Sequence, residues 1–228
     1  MSEYVDLYCE RLAPGLFGEP LNLLSNLAFL VASGLLLWLL AGQVRPVPFS
    51  VWLLPVLLGV VGLASAAFHA FATRATSAAD STAIAVFILV AVVNLVHWMW
   101  GVRWRWAWLA APAYLVLSVG IGALAQWLGG ERATLGGYLP ALVGLALFGL
   151  AVRLTTSPNV AGFGNLLLAA TGVFAASLAL RTADLPLCAT APVGTHFVWH
   201  VLNAVVLFLV GYAVLRRWQR TPAALSRR

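Results

Sequence analysis

The chain has no lysine; all 13 of its basic residues are arginine. Charge of either sign is scarce, with Asp, Glu, Lys and Arg making up 9% of 228 residues. A water-soluble domain of this size needs a charged surface, so this composition excludes one. Cysteine is scarce as well, and the two present form no zinc-finger spacing. Residues 1–20 are polar and acidic, without the basic n-region of a cleavable signal peptide. The formal net charge of +6 carries no nucleic-acid signature, because the arginines are scattered among linkers and the tail. No nucleic-acid partner is expected, and no protein partner can be inferred.

What is present is hydrophobic: 62% of residues, with mean hydropathy +0.95. Apolar runs of spanning length lie at about 21–41, 49–72, 78–99, 107–128, 136–153, 161–181 and 194–215. At roughly 20 residues per crossing they predict an all-α bundle of seven transmembrane helices, one membrane domain over 1–228. Runs this long are not barrel strands. The fifth is short and rich in glycine. Short linkers carry Pro, Gly and Arg, as in Arg45-Pro46-Val47-Pro48, Arg103-Trp104-Arg105 and Ser157-Pro158-Asn159. Tryptophan gathers at 98–108, as in an interfacial belt. Heavy use of Ala, Leu, Val and Arg reads as a GC-rich bacterial genome.

Seven crossings put the termini on opposite sides. One side holds Arg45, Arg103, Arg105, Arg153 and the tail 216–228 with Arg216, Arg217, Arg220, Arg227 and Arg228. The other holds Arg11, Arg74, Arg132 and Arg181. The side richer in arginine is cytoplasmic by the positive-inside rule, which places the N-terminus outside an inner (plasma) membrane. Glu3, Asp6, Glu10, Glu19, Glu131 and Asp184 then fall at the outer face, and Asp80 just inside the third helix near it.

The polar residues inside the helices converge on that face. His196 and His200 open the last run four residues apart, on one side of a helix. Two imidazoles at that spacing can share a transition metal, with zinc the first candidate. His69 closes the second helix, with Ser65 four residues earlier on the same side. Asp80 opens the third, and Glu19, Asn22, Ser25 and Asn26 open the first. Three histidines from two helices are the usual protein part of a catalytic zinc site, with one position left for water. Asp80 would orient or deprotonate that water, and Ser65 would donate to a developing oxyanion. Each also has a plainer reading. His69 could complement a helix C-terminus, Asp80 could be a first-turn acid, and Ser65 could satisfy a backbone carbonyl. Their shared depth favours a site. His97, at the opposite end beside Trp98 and Trp100, reads as interfacial.

The segments Ser65-Ala66-Ala67-Phe68-His69, Asp80 and His196-Phe197-Val198-Trp199-His200 resemble the signature of the alkaline ceramidase superfamily, which also contains the adiponectin and progestin receptors. Tyr8-Cys9-Glu10, Glu19-Pro20-Leu21-Asn22-Leu23-Leu24-Ser25-Asn26 and Asp184-Leu185-Pro186-Leu187-Cys188 are similar to the ceramidase branch itself. The resemblance spans nearly the whole chain. It implies seven helices, zinc on His69, His196 and His200, and hydrolysis of the ceramide amide to a fatty acid and a lyso-amine. It also implies a candidate calcium site from Glu10, Glu19, Asp6, Tyr8 and Asn22. Leu7 and Leu12 stand where that pattern carries an Asp and an Asn, with Asp6 one position away. Most bacteria lack ceramide, so the membrane lipid substrate extends to other N-acylated lipids. The resemblance pairs cysteines at similar places, and Cys9 and Cys188 both fall on the outer, oxidising side, so a disulfide is expected.

Other classes stay open. A zinc-containing receptor or sensor would share the same core without turnover. An ion transporter would need polar groups along the whole path, and the cytoplasmic halves of these helices carry almost none.

Overall fold

The computed structural model describes residues 3–155 and 157–222, leaving aside the side chains of 158 and 159. Arg227 and Arg228, counted above with the tail, lie outside the described residues. The described residues fold into α-helices with no strand: α1 (Pro20–Ser25), α2 (Leu27–Ala41), α3 (Phe49–Phe71), α4 (Arg74–Trp100), α5 (Trp104–Ala107), α6 (Ala110–Ala133), α7 (Leu139–Arg153), α8 (Pro158–Leu187) and α9 (His196–Arg220). Six helical stretches among them are long and apolar enough to cross a membrane, α1–α2 and α5–α6 each counting as one. The fifth apolar run forms only the 15 residues of α7, short of that length.

Most boundaries follow the apolar runs, and the departures have local causes. The first run is interrupted at Asn26, whose side-chain amide donates to the Asn22 carbonyl. The third begins at Arg74, because Thr73 and Thr76 form a capping box ahead of it. The sixth runs on through Asp184 to Leu187, so Asp184 is helical rather than part of a loop. The last continues to Arg220, which makes Arg216, Arg217 and Arg220 helical instead of tail residues. Arg45 stops that helix. Its guanidinium lies 4.2 Å over the Trp218 ring and donates to the Trp218 and Thr221 carbonyls at the helix end, the former accepting also from the Thr221 amide.

α9 is the central element. It packs on α2, α3, α4 and α8, and buries Trp199, Ala204, Val210, Ala213, Val214 and Trp218. Elsewhere many large apolar side chains point outward, among them Leu35, Trp38, Val60, Val116, Val119 and Trp127. A soluble protein would hide such a surface; a bilayer solvates it. At one end of the bundle the N-terminal segment folds back over the helix ends. Tyr4 bridges to Thr73, and the Val5 amide donates to the Ala72 carbonyl. Ala72 adopts a left-handed φ of 47°, ending α3 three residues after His69.

At the other end His97 is buried and stacks on Trp104 with ring centroids 3.8 Å apart. Its Nδ1 donates to the Val102 carbonyl at 2.7 Å. It therefore pins the α4–α5 turn, remote from the other histidines.

Candidate metal centre

The last turn of α3 and the first two turns of α9 bring His69, His196 and His200 together. All three are buried, and one ring nitrogen from each lies within 4.8 Å of the others. His69 Nε2 and His200 Nε2 stand 3.1 Å apart. Two imidazoles on one tetrahedral zinc would be separated by about 3.3 Å, from Zn–N bonds of about 2.0–2.1 Å.

The opposite ring atoms fix what these nitrogens can do. Ser25 Oγ donates its hydrogen to the Asn22 carbonyl at 2.9 Å, so at 2.7 Å it accepts from His200 Nδ1. His69 Nδ1 lies 2.5 Å from Glu19 Oε2 and donates to that carboxylate. In neutral rings both Nε2 atoms are then bare lone pairs facing each other, which repel unless a cation lies between them. This is the arrangement of metal-ligating histidines, each oriented by a hydrogen bond to its other nitrogen. The group can hold a metal ion.

Tyr8 forms the lid, stacked on His196 with centroids 3.6 Å apart and an interplanar angle of 19°. Burial pushes its hydroxyl well up, against the pull of Arg181, so it stays a neutral phenol. Ser65, Asp80, Arg181, His196, His200 and Asn203 line one small cavity of about 20 Å³, room for about one water. Asp80 Oδ1 and His196 Nδ1 are buried there without a hydrogen-bond partner among the described residues. Asn203 lies seven residues after His196, on the same face of α9.

A second, apolar cavity of about 420 Å³ lies between α4, α6, α7, α8 and α9, lined by Phe87, Leu95, Tyr114, Phe148, Phe174 and Val206 among others. Ile84, Tyr138 and Asn203 line both cavities.

The residues considered for calcium do not fit a dication. Both oxygens of Glu10 accept backbone amides, from Leu21 at 2.6 Å and Asn22 at 2.7 Å. Glu19 accepts from Arg11 Nε, Asn22 Nδ2 and His69 Nδ1. Burial alone would raise the Glu19 carboxyl; the hydrogen bond and charge of His69, with Asn22 and Arg11, hold it below its ordinary value. Asp6 is exposed, and Tyr8 is engaged with His196. The cation of this cluster is Arg11 itself, buried and donating also to the His69 carbonyl at 2.8 Å. Asn22 Oδ1 is buried without a partner among the described residues, but one amide oxygen does not make a calcium site, and the fixed guanidinium on Glu19 repels a calcium ion.

Cys9 and Cys188 are joined by a disulfide. Beside it, Asp184 Oδ1 accepts from the Thr195 amide at 2.7 Å and the His196 amide at 2.9 Å, and Oδ2 from the Cys9 amide at 3.0 Å. Asp184 thus sets where α9 begins and therefore where His196 sits. Gly194 makes the approach feasible: its φ is 63°, and a Cβ there would lie 2.8 Å from Cys9 Cβ.

Reading the sequence alone missed the roles of Arg11, Asp184, Arg181 and Asn203. Asn203 had a usable signal in its helical spacing from the histidine pair, and Asp184 stood in a segment similar to the ceramidase branch; Arg11 and Arg181 had none. Fold and site together define a multi-pass helical membrane protein with a buried three-histidine group able to hold a metal ion. No protein-family model matches the chain, and no curated protein matches it.

Proposed function

We propose that the chain is a zinc-dependent amidase of the alkaline ceramidase type. It would cleave the N-acyl amide of ceramide or a related membrane lipid to a fatty acid and a lyso-amine. One observation carries this reading. The polar cavity of the histidines shares Ile84, Tyr138 and Asn203 with an apolar cavity of about 420 Å³ inside the helix bundle. That volume falls in the range of small-ligand sites, about 300–1,000 Å³, and suits an acyl chain whose amide ends at the histidines.

Three imidazoles, two of them oriented through their second nitrogens by Glu19 and Ser25, favour zinc, with one coordination position open. Bound there, zinc would supply a Lewis acid and lower the pKa of its water to about 7. Asp80 Oδ1, buried and without a partner, takes the proton from the attacking water and returns it to the leaving amine. Ser65 lines the same cavity and donates its hydroxyl to the oxygen of the former carbonyl. His69, His196 and His200 hold the metal, and Tyr8 excludes water from above His196.

A seventh crossing by α7 belongs to this reading. Tyr138, just before α7, and Arg181, late in α8, both line the histidine cavity. Arg153 at the far end of α7 donates to Asn165 early in α8. The two helices thus run antiparallel across the bundle, although 15 residues reach only about 22 Å. Seven crossings, with the arginine-rich end cytoplasmic, put the N-terminus and the site on the extracytoplasmic face of a bacterial inner membrane. An oxidising compartment there accords with the Cys9–Cys188 disulfide. A topology reporter fused after Arg228 should therefore read cytoplasmic; a periplasmic signal would reverse the assignment.

The direct test is metal analysis of the purified protein together with fatty-acid release from a panel of N-acyl lipids. About one zinc per chain and metal-dependent release are expected, unchanged by added calcium. Lipid binding with metal bound and no release from any amide would convert the reading to a receptor.

A further inference from the structure

Among the described residues, Arg181 is the one arginine lining the histidine cavity. It comes from α8, two turns before the end of that helix. Its guanidinium lies 4.9 Å over the Tyr138 ring and 5.7 Å over the Trp199 ring. Gly136, with φ of 64°, presses its backbone against the same group, and a Cβ there would meet the guanidinium carbon at 3.3 Å. The aromatic faces position the cation without a conventional acceptor, and the Gly136 backbone accepts no hydrogen bond from it among the described residues.

Among the described residues no hydrogen bond or ion pair engages Arg181. The three ion pairs join Arg11 to Glu19, His69 to Glu19 and Arg74 to Glu3. Asp80 faces the same cavity and is not paired with it. Arg11 differs: its Nε pairs with Glu19 and its Nη2 donates to the His69 carbonyl, although its Nη1 has no partner among the described residues. A cation inside a membrane helix is expensive unless it has a partner or a function.

Resting on the amidase reading, we infer that Arg181 is a specificity-determining residue that binds a carboxylate on the amine half of the substrate. The fitting substrate class is an N-acyl amino acid, in preference to a neutral amide such as ceramide. A planar guanidinium pairs with a carboxylate through two parallel hydrogen bonds. Arg181 shares a cavity of about 20 Å³ with His196 and His200, so the anion must lie a bond or two from the scissile amide. The carboxylate of an N-acyl amino acid does. A phosphate at the end of a lipid headgroup lies further out. The acyl chain would occupy the apolar cavity on the other side of Ile84, Tyr138 and Asn203.

The test uses full-length, metal-loaded protein in lipid nanodiscs. Hydrolysis of N-palmitoylglycine is compared with that of N-palmitoylethanolamine, its neutral counterpart, and with ceramide. Binding of the uncleavable N-hexadecylsulfonylglycine and N-hexadecylsulfonylethanolamine is measured in parallel. The glycine substrate should be favoured by about tenfold or more in kcat/KM, as for a site built to pair a charged group. Arg181→Gln should remove that preference mainly through KM, lowering kcat/KM for the glycine substrate by about tenfold more than for the ethanolamide, while Arg181→Lys should restore part of it. The glycine sulfonamide should bind more tightly than its neutral partner, again only with the cation at 181. Equal use of both amides by the wild type, or an equal loss on both in Arg181→Gln, overturns the inference. If no amide is cleaved but the Arg181-dependent binding difference persists, carboxylate recognition stands and the amidase reading fails. If neither hydrolysis nor binding distinguishes the pair, carboxylate recognition is wrong. Should Arg181→Gln lose its metal, the wild-type preference and Arg181→Lys decide.

Discussion

His200→Ala is expected to yield protein with no bound metal and fatty-acid release at the background rate. The substitution removes one of three ligands, leaving two imidazoles that cannot close a zinc site. It also strips His69 Nε2 of its neighbour at 3.1 Å and Ser25 Oγ of its donor. His69→Ala should act the same way and also leave Glu19 with one partner fewer. Glu19→Gln keeps the ligand but loses the carboxylate that orients it, so it should weaken metal binding by about 10–100-fold, and it should also lower Tm because buried Arg11 loses its counter-charge. His97→Ala makes a useful comparison. That ring pins the α4–α5 turn at the opposite end, so its loss should leave metal content unchanged. Elemental analysis of each purified variant, beside its release rate, reads all four. Stoichiometric metal retained by His200→Ala would exclude this site.

Much of this centre can be read from sequence because its parts obey short-range rules. His196 and His200 share a helix face by their spacing alone. His69 and Asp80 flank a short turn, so their depth follows from where the apolar runs end. The residues that orient the ligands are a different matter. Arg11 reaches His69 across 58 positions and Glu19 reaches it across 50. Such contacts depend on how the N-terminal segment folds over the bundle, and no periodicity encodes that. Arg11 and Arg181 were counted as interfacial charges on the outer side. The structure turns both inward, one onto Glu19 and the other into the histidine cavity. α7 shows the converse limit: its composition is that of a membrane helix, but glycines and the 3₁₀ turn at Leu135–Gly137 leave only 15 helical residues.

Asp80→Asn is expected to keep its metal and lower turnover by about 10²–10⁴-fold, the usual contribution of a general acid–base group. The plainer account of Asp80 was a first-turn acid favoured by the helix dipole. α4 begins at Arg74, however, and its first turn contains no acid. Asp80 sits a turn further in, where the dipole contribution has largely faded. Its Oδ1 is buried in the histidine cavity and makes no hydrogen bond among the described residues. The amide therefore replaces the carboxylate without breaking a visible contact, and thermal stability should change little. A structural acid such as Asp184 behaves differently: Asp184→Asn weakens three amide contacts that hold Cys9, Thr195 and His196, so it should loosen the start of α9 and the metal together. Measuring turnover, metal content and Tm on both variants separates the two roles. A loss of turnover at full metal occupancy and unchanged Tm marks Asp80 as the proton-transfer group. Wild-type turnover in Asp80→Asn would remove it from the chemistry.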